Sequence, residues 1–301
     1  MNLNFIKFSI AYYIFSILLI VASIFALFTY GLKFGIEFTG GSVMNIEFIE
    51  ARPTNEAVSA SLSEFNLGET VIRQIGEKGM TLNLKGIDET THQNILAKIG
   101  ETSPLEEKSF QFIGPSIGNE LKKKTQLAMI LALAAITIYI AIAFRKVSRP
   151  VSSWKYGITS LIALSHDIMI PLGVFAVLGN LYNIEITVPI IAALLTILGF
   201  SVHDTIVVFD RIRENILRRG MGSFKDTVNC SLNQTIGRSI GTTVTTLFVL
   251  LALFFFGGET LKYFSLALVI GITAGGYSSI FLAAPLLVSW QNWSEKKARK
   301  A

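Results

Sequence analysis

Cysteine and charged residues are scarce in this sequence. Among its 301 residues there is one cysteine, Cys230, and only 16% are charged. A single cysteine excludes a disulfide framework within the chain, and no group of His and Cys residues has the spacing of a zinc site. The sequence also contains no phosphate-binding loop. We find no nucleophile paired with a base, so we expect no cofactor, no metal and no enzyme activity from this chain alone.

Long apolar runs dominate the sequence instead. It is 51% hydrophobic and has a mean hydropathy of +0.55. A membrane-spanning helix needs about 20 mostly apolar residues, and six stretches qualify. We therefore predict a polytopic α-helical membrane protein with six transmembrane helices. The first is a retained anchor, because no small-residue cleavage site follows it. The stretches are Ile10–Tyr30, Leu127–Phe144, Ile158–Leu178, Ile186–Val208, Ile240–Phe256 and Leu266–Trp290.

Among the short connections between the apolar stretches, positive charge is concentrated in alternate ones. Basic residues crowd the loops after stretches two and four and the tail after stretch six, whereas 179–185 contains no Lys or Arg. The positive-inside rule then places both termini in the cytoplasm and explains the basic runs without a nucleic-acid partner. The predicted order is a cytoplasmic tail (1–9), the first helix (10–30), an extracytoplasmic domain (31–124), a five-helix membrane region (125–290) with a basic loop near 209–238, and a basic cytoplasmic tail (291–301).

The extracytoplasmic segment alternates between strand-like and helical patterns. Its predicted order, β-α-β-β-α-β, is that of a small ferredoxin-like α+β domain. Asp88 is a plausible N-cap of the second helix. His92 lies alone on that helix, so we expect a surface histidine rather than a metal ligand. The predicted elements are Gly41–Glu50, Asn55–Phe65, Glu69–Ile75, Met80–Leu84, Asp88–Ile99 and Lys108–Ile113.

Two glycine-bearing segments flank this domain, Phe34–Gly41 and Phe112–Gly118. Neither continues to the Lys-Ser/Thr pair of a phosphate-binding loop. The glycines either permit tight turns where the chain leaves and re-enters the membrane, or form a hinge on which the domain swings, and the sequence leaves both readings open. The candidate hinge or interface residues are Gly35, Gly40, Gly41, Gly114 and Pro115.

An acidic residue lies inside the fourth apolar stretch. Asp204 is about five residues, or roughly 7 Å, from the cytoplasmic end of that helix near Phe209. An ionisable group in a membrane helix costs about 2.5–3.5 kcal/mol to insert and is a functional hypothesis by default. Arg238 lies near the same end of the antiparallel fifth helix. Burial and a nearby arginine act in opposite senses on a carboxyl, and a carboxyl balanced between them can relay protons.

Threonines continue the polar line on the fifth helix. Thr242, Thr245 and Thr246 share a helical face with Arg238 by their spacing. Their hydroxyls either line a narrow wet path or bond to their own helix, as Ser and Thr often do in membranes.

Two further ionisable sites lie in membrane helices. Asp167, beside His166 in the third helix, is either a second relay member or a structural acid held by His166 or a hydroxyl such as Ser165. His203 points about 100° away from Asp204 around the helix. Its titration range suits proton transfer, but a packed, hydrogen-bonded histidine is the simpler expectation. The candidate ion pathway therefore consists of Asp204, Arg238, Asp167, His203 and Thr242.

Six motifs spread over nearly the whole chain: FGIEFTGG (34–41), FIGPSIGNEL (112–121), SHDIMIPLG (165–173), AALLTILGFSVHDTIVVFDRIREN (192–215), NQTIGRSIGTTVTT (233–246) and FGGETLKYFS (256–265). In this order they resemble the SecF family, the membrane subunits of the bacterial SecDF protein-export complex within the RND superfamily. The string VVFDRIREN is the most specific. By motif position, Asp204 matches the family's essential membrane acid and Arg238 its essential arginine. Phe200, His203 and Glu37 stand where the family often has Tyr, Asn and Asp, which leaves the coupling ion open.

The resemblance implies a function in protein export. Members use the proton-motive force, or sodium in some cases, to help unfolded secretory polypeptides leave the Sec channel on the outer side of the bacterial inner membrane. The implied partners are SecD, the SecYEG channel and the SecA ATPase, with membrane lipid around the helices and no nucleic acid.

Two other functions are weighed against this one. A small-molecule exporter of the same superfamily needs a larger external region and usually two six-span halves in one chain, whereas this chain holds one half. A purely structural subunit would leave the motor acid to its partner, and the costly Asp204 argues against that. One half-unit implies that a second six-span subunit completes the bundle.

Overall fold

The computed structural model describes residues 3–65, 67, 70–145, 151–219 and 223–299, with only the backbone at 219, 259 and 260. The expected strand start at Glu69 and the basic residues Lys146, Arg149 and Lys300 lie outside the described residues. The chain forms two compact units: a helical unit of Met1–Lys33, Leu127–Ile184 and Pro189–Ala301, and a second unit of Phe34–Gln126 and Glu185–Val188.

Helices and four strands follow one another along the described chain. A π-helical turn, Ser279–Ala283, joins the last two helices. In chain order the elements are α1 (Ser9–Tyr30), α2 (Ile36–Thr39), β1 (Gly41–Phe48), α3 (Asn55–Leu62), β2 (Val71–Ile75), β3 (Gly79–Leu84), α4 (Glu89–Thr102), β4 (Leu105–Ile113), α5 (Pro115–Ala143), α6 (Ser153–Tyr182), α7 (Val188–Arg219), α8 (Phe224–Phe256), α9 (Glu259–Ser278) and α10 (Ala284–Ala298).

Six helical segments among the described residues are long and apolar enough to cross a membrane, which confirms the predicted number. Helix α8 begins at Phe224, well before the apolar stretch at Ile240, because helical hydrogen bonds continue into polar sequence that hydropathy does not mark. The sixth segment runs through α9, the π-helical turn and α10. The turn precedes Pro285, which has no N–H for the carbonyl four residues earlier, so the helix widens there.

The inner part of the helical unit consists of α6, α7 and the sixth segment. In these three, 50%, 44% and 61% of the most apolar window is buried, against 6% in α5 and 11% in α8. A buried aromatic cluster packs near one end, where Tyr156 and Phe209 meet edge to face at 5.1 Å and Phe144 stacks on Tyr156. Helices α5 and α8 therefore present most of their apolar surface to whatever surrounds this chain.

The second unit is an antiparallel four-stranded sheet in the order β2-β3-β1-β4. With α3 and α4 following β1 and β3, this is the predicted ferredoxin-like topology. Alternate residues of the strands, such as Met44, Ile46 and Leu82, are buried against apolar residues of the two helices, including Ile95 and Ile99. Strand β4 begins at Leu105, earlier than the sequence predicts, because its pairing with β1 continues past a register shift at Asn45/Ile46.

Helix α4 begins where the sequence predicts, but the exposure of His92 differs from the prediction. The Asp88 side chain accepts a hydrogen bond from the Thr91 N–H, as expected of an N-cap. The expectation of a surface histidine is wrong: His92 is only 3% exposed, stacks on Phe110 at 3.8 Å and reaches Glu107 at 2.9 Å. Strand β4 brings these two residues beneath α4, a tertiary contact that the helical pattern of α4 alone does not reveal.

Candidate ion pathway

Asp204 occupies the buried side of α7. Its residue is 3% exposed, and its Oδ2 atom has no hydrogen-bond partner among the described residues. The same side of the helix carries Ile197, Ser201 and Val208, which are also buried. A buried carboxyl without a partner is the arrangement in which taking up and releasing a proton changes the local energy most.

Helices α7 and α9 approach closely beside this acid. A Cβ atom at Gly271 would overlap Cδ1 of Ile197, and one at Gly275 would lie 2.9 Å from Cβ of Ser201. Small residues permit such contacts between membrane helices. The Gly271–Gly275 pair therefore packs against α7 within this chain.

Asp167 is the centre of a buried hydrogen-bond network. Its Oδ2 atom accepts from the Ser201 hydroxyl at 2.5 Å and from the Ser278 hydroxyl at 2.7 Å, and its Oδ1 atom lies 2.9 Å from Nδ1 of His166. The network joins α6, α7 and α9. Ser165, the hydroxyl that the sequence suggested, is exposed and is the wrong serine. These contacts are those of an acid that fixes three helices relative to one another.

Arg238 lies in an open cleft between α7 and α8. The arginine is exposed, and the cleft has a volume of about 390 Å³. Asp204 is not among the described residues that line it, so the structure does not place this acid and Arg238 in one cleft. The other lining residues are Ile206, Val207, Asp210, Arg211, Glu214, Gln234 and Thr235.

The threonines after Arg238 bond to their own helix. The hydroxyl of Thr242 donates to the Arg238 carbonyl at 3.1 Å, and that of Thr246 donates to the Thr242 carbonyl at 2.9 Å. Thr242 and Thr245 are nevertheless exposed on the surface of this chain. A polar stripe on a membrane helix is costly against lipid, so a protein neighbour suits this surface better than lipid does.

His203 is exposed on α7, on a different side from Asp204. The expectation of a packed, hydrogen-bonded histidine is therefore wrong for the chain alone. The roughly 100° step between successive residues turns His203 away from the buried face.

The flanking glycine segments pack tightly in the second unit. Gly40 has φ +75°, and a Cβ there would lie 2.7 Å from Cα of Pro115. Gly41 has φ +143°, a conformation that favours glycine. Pro115 is the first residue of α5, where its missing N–H is not needed. The Gly35 N–H donates to the Ile186 carbonyl, whereas a Cβ at Gly114 would have no atom within 4 Å among the described residues.

Sequence reasoning missed the hydroxyl partners of the membrane acids. Ser201 and Ser278 hold Asp167, and Thr205 bonds to Ser279 at 3.0 Å across α7 and the π-helical turn. Small residues at helical spacing were the available signal, but they indicate close packing without identifying partners. Within the described residues, no group of three or more His, Cys, Asp or Glu is placed to hold a metal ion.

Two family models match the sequence. The family described as protein export membrane protein SecD/SecF, C-terminal, matches residues 92–293, and the SecD/SecF GG motif matches residues 25–48. Together they include the membrane acids, the arginine and the first glycine segment.

Relatives and solved structures agree with these matches. A protein translocase subunit SecF from Thermobaculum terrenum is 42% identical, with 96% of this chain and 94% of the relative covered. One from Vibrio alginolyticus is 37% identical, with 95% and 89% covered. The crystal structure of a Thermus SecDF, described as a translocon-associated membrane protein, superimposes with a TM-score of 0.85 at 33% identity. That match covers 97% of this chain but only 39% of the SecDF chain.

Proposed function

The chain belongs to the SecD/SecF family of protein export membrane proteins, and we propose that as its SecF-type subunit it couples cation flow to the late stage of polypeptide export. It is a multi-pass membrane protein with a role in protein transport. The finer proposal is that protons, moving through the helical unit, drive movement of the extracytoplasmic ferredoxin-like domain, which holds and releases the emerging chain.

The observation that carries the coupling proposal is the buried carboxyl of Asp204, whose Oδ2 atom has no hydrogen-bond partner among the described residues. An acid that costs several kcal/mol to keep in a membrane helix is a functional candidate when one of its oxygens is buried without a hydrogen bond. Asp167 differs from Asp204 in this respect, because both of its carboxyl oxygens contact hydroxyl or imidazole partners. We assign the proton-carrying function to Asp204 and a positioning function to Asp167.

The driving force is adequate for such a device. One elementary charge crossing 100 mV releases about 2.3 kcal/mol, which corresponds to a shift of nearly fiftyfold between two conformations. Protonation of Asp204 removes a charge from the face that packs on α9. We propose that this changes the packing of α7 against α9 and that Arg238, in its cleft, responds to the same charge.

A SecD-type partner fits the surface of α8. Arg238, Thr242 and Thr245 are exposed on a helix that crosses the membrane, where lipid is a poor neighbour for them. We propose that a second six-span subunit covers this stripe and thereby completes the ion path. SecYEG, SecA and the unfolded secretory polypeptide are the further proposed partners, and the proposed site of action is the bacterial inner membrane with both termini in the cytoplasm.

The proposal is tested by gradient-dependent export of a secretory protein into inverted membrane vesicles. The native chain is compared with Asp204→Asn and Arg238→Met, each co-expressed with its SecD-type partner. We expect both variants to lose the late, gradient-dependent step while ATP-driven initiation stays intact.

The vesicles must contain equal amounts of assembled complex, because a loss of assembly lowers export in the same way as a loss of activity. Glu106→Gln, which removes an exposed carboxyl of the external domain, is the matched variant that keeps full export. Native export by assembled Asp204→Asn would remove this acid from the mechanism and leave the scaffold function.

A further inference from the structure

The short segment between α6 and α7 belongs to the sheet-containing unit. Residues Glu185–Val188 group with Phe34–Gln126, although the helices on either side of them belong to the helical unit. A connection of this length does not need side-chain contacts to join two antiparallel helices. The contacts that this segment makes therefore indicate a function beyond joining the helices.

Glu185 makes these contacts with two strands at once. Its carboxylate accepts a hydrogen bond from Nη2 of Arg73 on β2 at 2.5 Å and from Nδ2 of Asn83 on β3 at 2.7 Å. Its side chain is only 15% exposed. Asn83 lies between Leu82 and Leu84, which face the domain core, so Glu185 binds the sheet face opposite that core. A charged group that is mostly withdrawn from water and bonded by an arginine makes a strong contact.

A backbone contact reinforces the side-chain contact. The Gly35 N–H donates to the Ile186 carbonyl at 2.9 Å, and Phe34 pairs with Ile186 as an isolated parallel bridge. A Cβ at Gly35 would lie 2.5 Å from Oε2 of Glu37 and 3.5 Å from Oε2 of Glu185. These contacts place Gly35, in the FGIEFTGG segment, directly beside residues 185 and 186.

The segment leads directly into the helix that carries the proposed proton-binding acid. Helix α7 begins at Val188, three residues after Glu185, and continues without a break through Asp204. At about 1.5 Å of rise for each residue, the helix from Val188 to Asp204 spans roughly 24 Å. A displacement of α7 near Asp204 is thus carried along a continuous helix to the segment held by Arg73 and Asn83.

We propose that Glu185, Arg73 and Asn83 form a permanent joint through which α7 moves the external domain. This Glu185 joint rests on the proposed function, because it transmits the movement that Asp204 starts. It gives the domain a third connection to the membrane helices, in addition to the covalent connections at α1 and α5. Glu185 is a positioning residue, and it takes no part in proton transfer.

The first test is removal of the joint and its replacement by a covalent bond. Glu185→Ala is expected to lower gradient-dependent export at least about fivefold, the lower end of typical coupling energies, with assembly and ATP-driven initiation retained. Glu106→Ala is the control, because the Glu106 side chain is exposed and its carboxylate pairs with exposed Lys108.

A disulfide then replaces the lost contact. Bridged strands lie about 4.8 Å apart, within the Cα range of disulfides, so Phe34→Cys with Ile186→Cys is a suitable pair in a Cys230→Ser background. Oxidation of this pair in the Glu185→Ala chain is expected to restore export, and reduction to remove it again. Two results would contradict a permanent joint. In one, the disulfide forms in the Glu185→Ala chain but does not restore export. In the other, the disulfide inhibits export in a chain with Glu185 intact.

Hydrogen exchange separates the joint from the proposed function. Glu185→Ala is expected to accelerate exchange of the Gly35 amide at least about fivefold, whatever the export activity, because the Ile186 carbonyl is no longer held in place. Unchanged exchange at Gly35 would refute the joint. If native and Asp204→Asn complexes export equally well while exchange responds as expected, the joint stands and the motor function fails.

Discussion

Replacing Asp167 with alanine removes the acceptor of three contacts. The Ser201 and Ser278 hydroxyls lose a partner at 2.5 and 2.7 Å, and His166 loses one at 2.9 Å. Hydrogen bonds between membrane helices contribute about 0.6 kcal/mol each on average, with a maximum near 1.7. Only the Ser201 and Ser278 bonds join different helices, because His166 is on the same helix as Asp167, so these two bonds contribute about 1 kcal/mol together. Asp204→Ala removes a side chain of the same size whose Oδ2 has no partner in the described structure.

We therefore expect Asp167→Ala to lower the free energy of unfolding by about 1 kcal/mol more than Asp204→Ala does, since the cavity left behind is similar in both. Unfolding of the purified complex by sodium dodecyl sulfate, followed by circular dichroism, measures this difference. Export activity should show the reverse pattern at temperatures where both complexes are folded. Equal destabilisation by the two substitutions, or a larger loss for Asp204→Ala, would refute the division of functions between these acids.

Two further predictions concern packing and pH. Gly173→Ala should cost about 1–3 kcal/mol of stability, because its Cβ would lie 2.5 Å from Cα of Ser23. Gly237→Ala should not, because a Cβ there would have no described atom within 4 Å. Thermal unfolding of the two variants measures the difference. In the ferredoxin-like domain, hydrogen bonds from the side chain and then the backbone N–H of Thr91 hold the pKa of Asp88 below its ordinary value of 3.8. The contribution of Asp88 to stability is therefore complete above that value and is lost as pH falls through the lowered pKa, so Asp88→Asn should reduce the acid sensitivity of α4 in hydrogen exchange.

The elements with a local signal could be predicted from the sequence. Six apolar stretches indicate six spans because the bilayer sets their length, and strand alternation with the Asp88 cap indicates the ferredoxin-like domain. Asp204 stands out because a lone acid in an apolar run is rare. In each case the information lies within one element of the chain.

Partners from distant parts of the chain could not be predicted. Ser201 and Ser278 lie 34 and 111 residues from Asp167, and nothing in their local sequence distinguishes them from the exposed Ser165. His92 resembled a surface residue until β4 was placed beneath α4. Glu185 lies in a short connection with no periodic pattern, and only its contacts with the sheet distinguish it.

The function of Asp204 is tested most directly by cation flux through the purified complex in proteoliposomes, with the partner subunit and secretory substrate present and a pH-sensitive dye inside. We expect a gradient-driven proton influx in the native complex and a loss of at least about tenfold in Asp204→Asn, the equivalent of about 1.4 kcal/mol in the rate-limiting barrier. The Glu106→Gln complex should conduct as the native one does. Equal proton flux through native and Asp204→Asn complexes would contradict the claim that Asp204 couples the gradient to export.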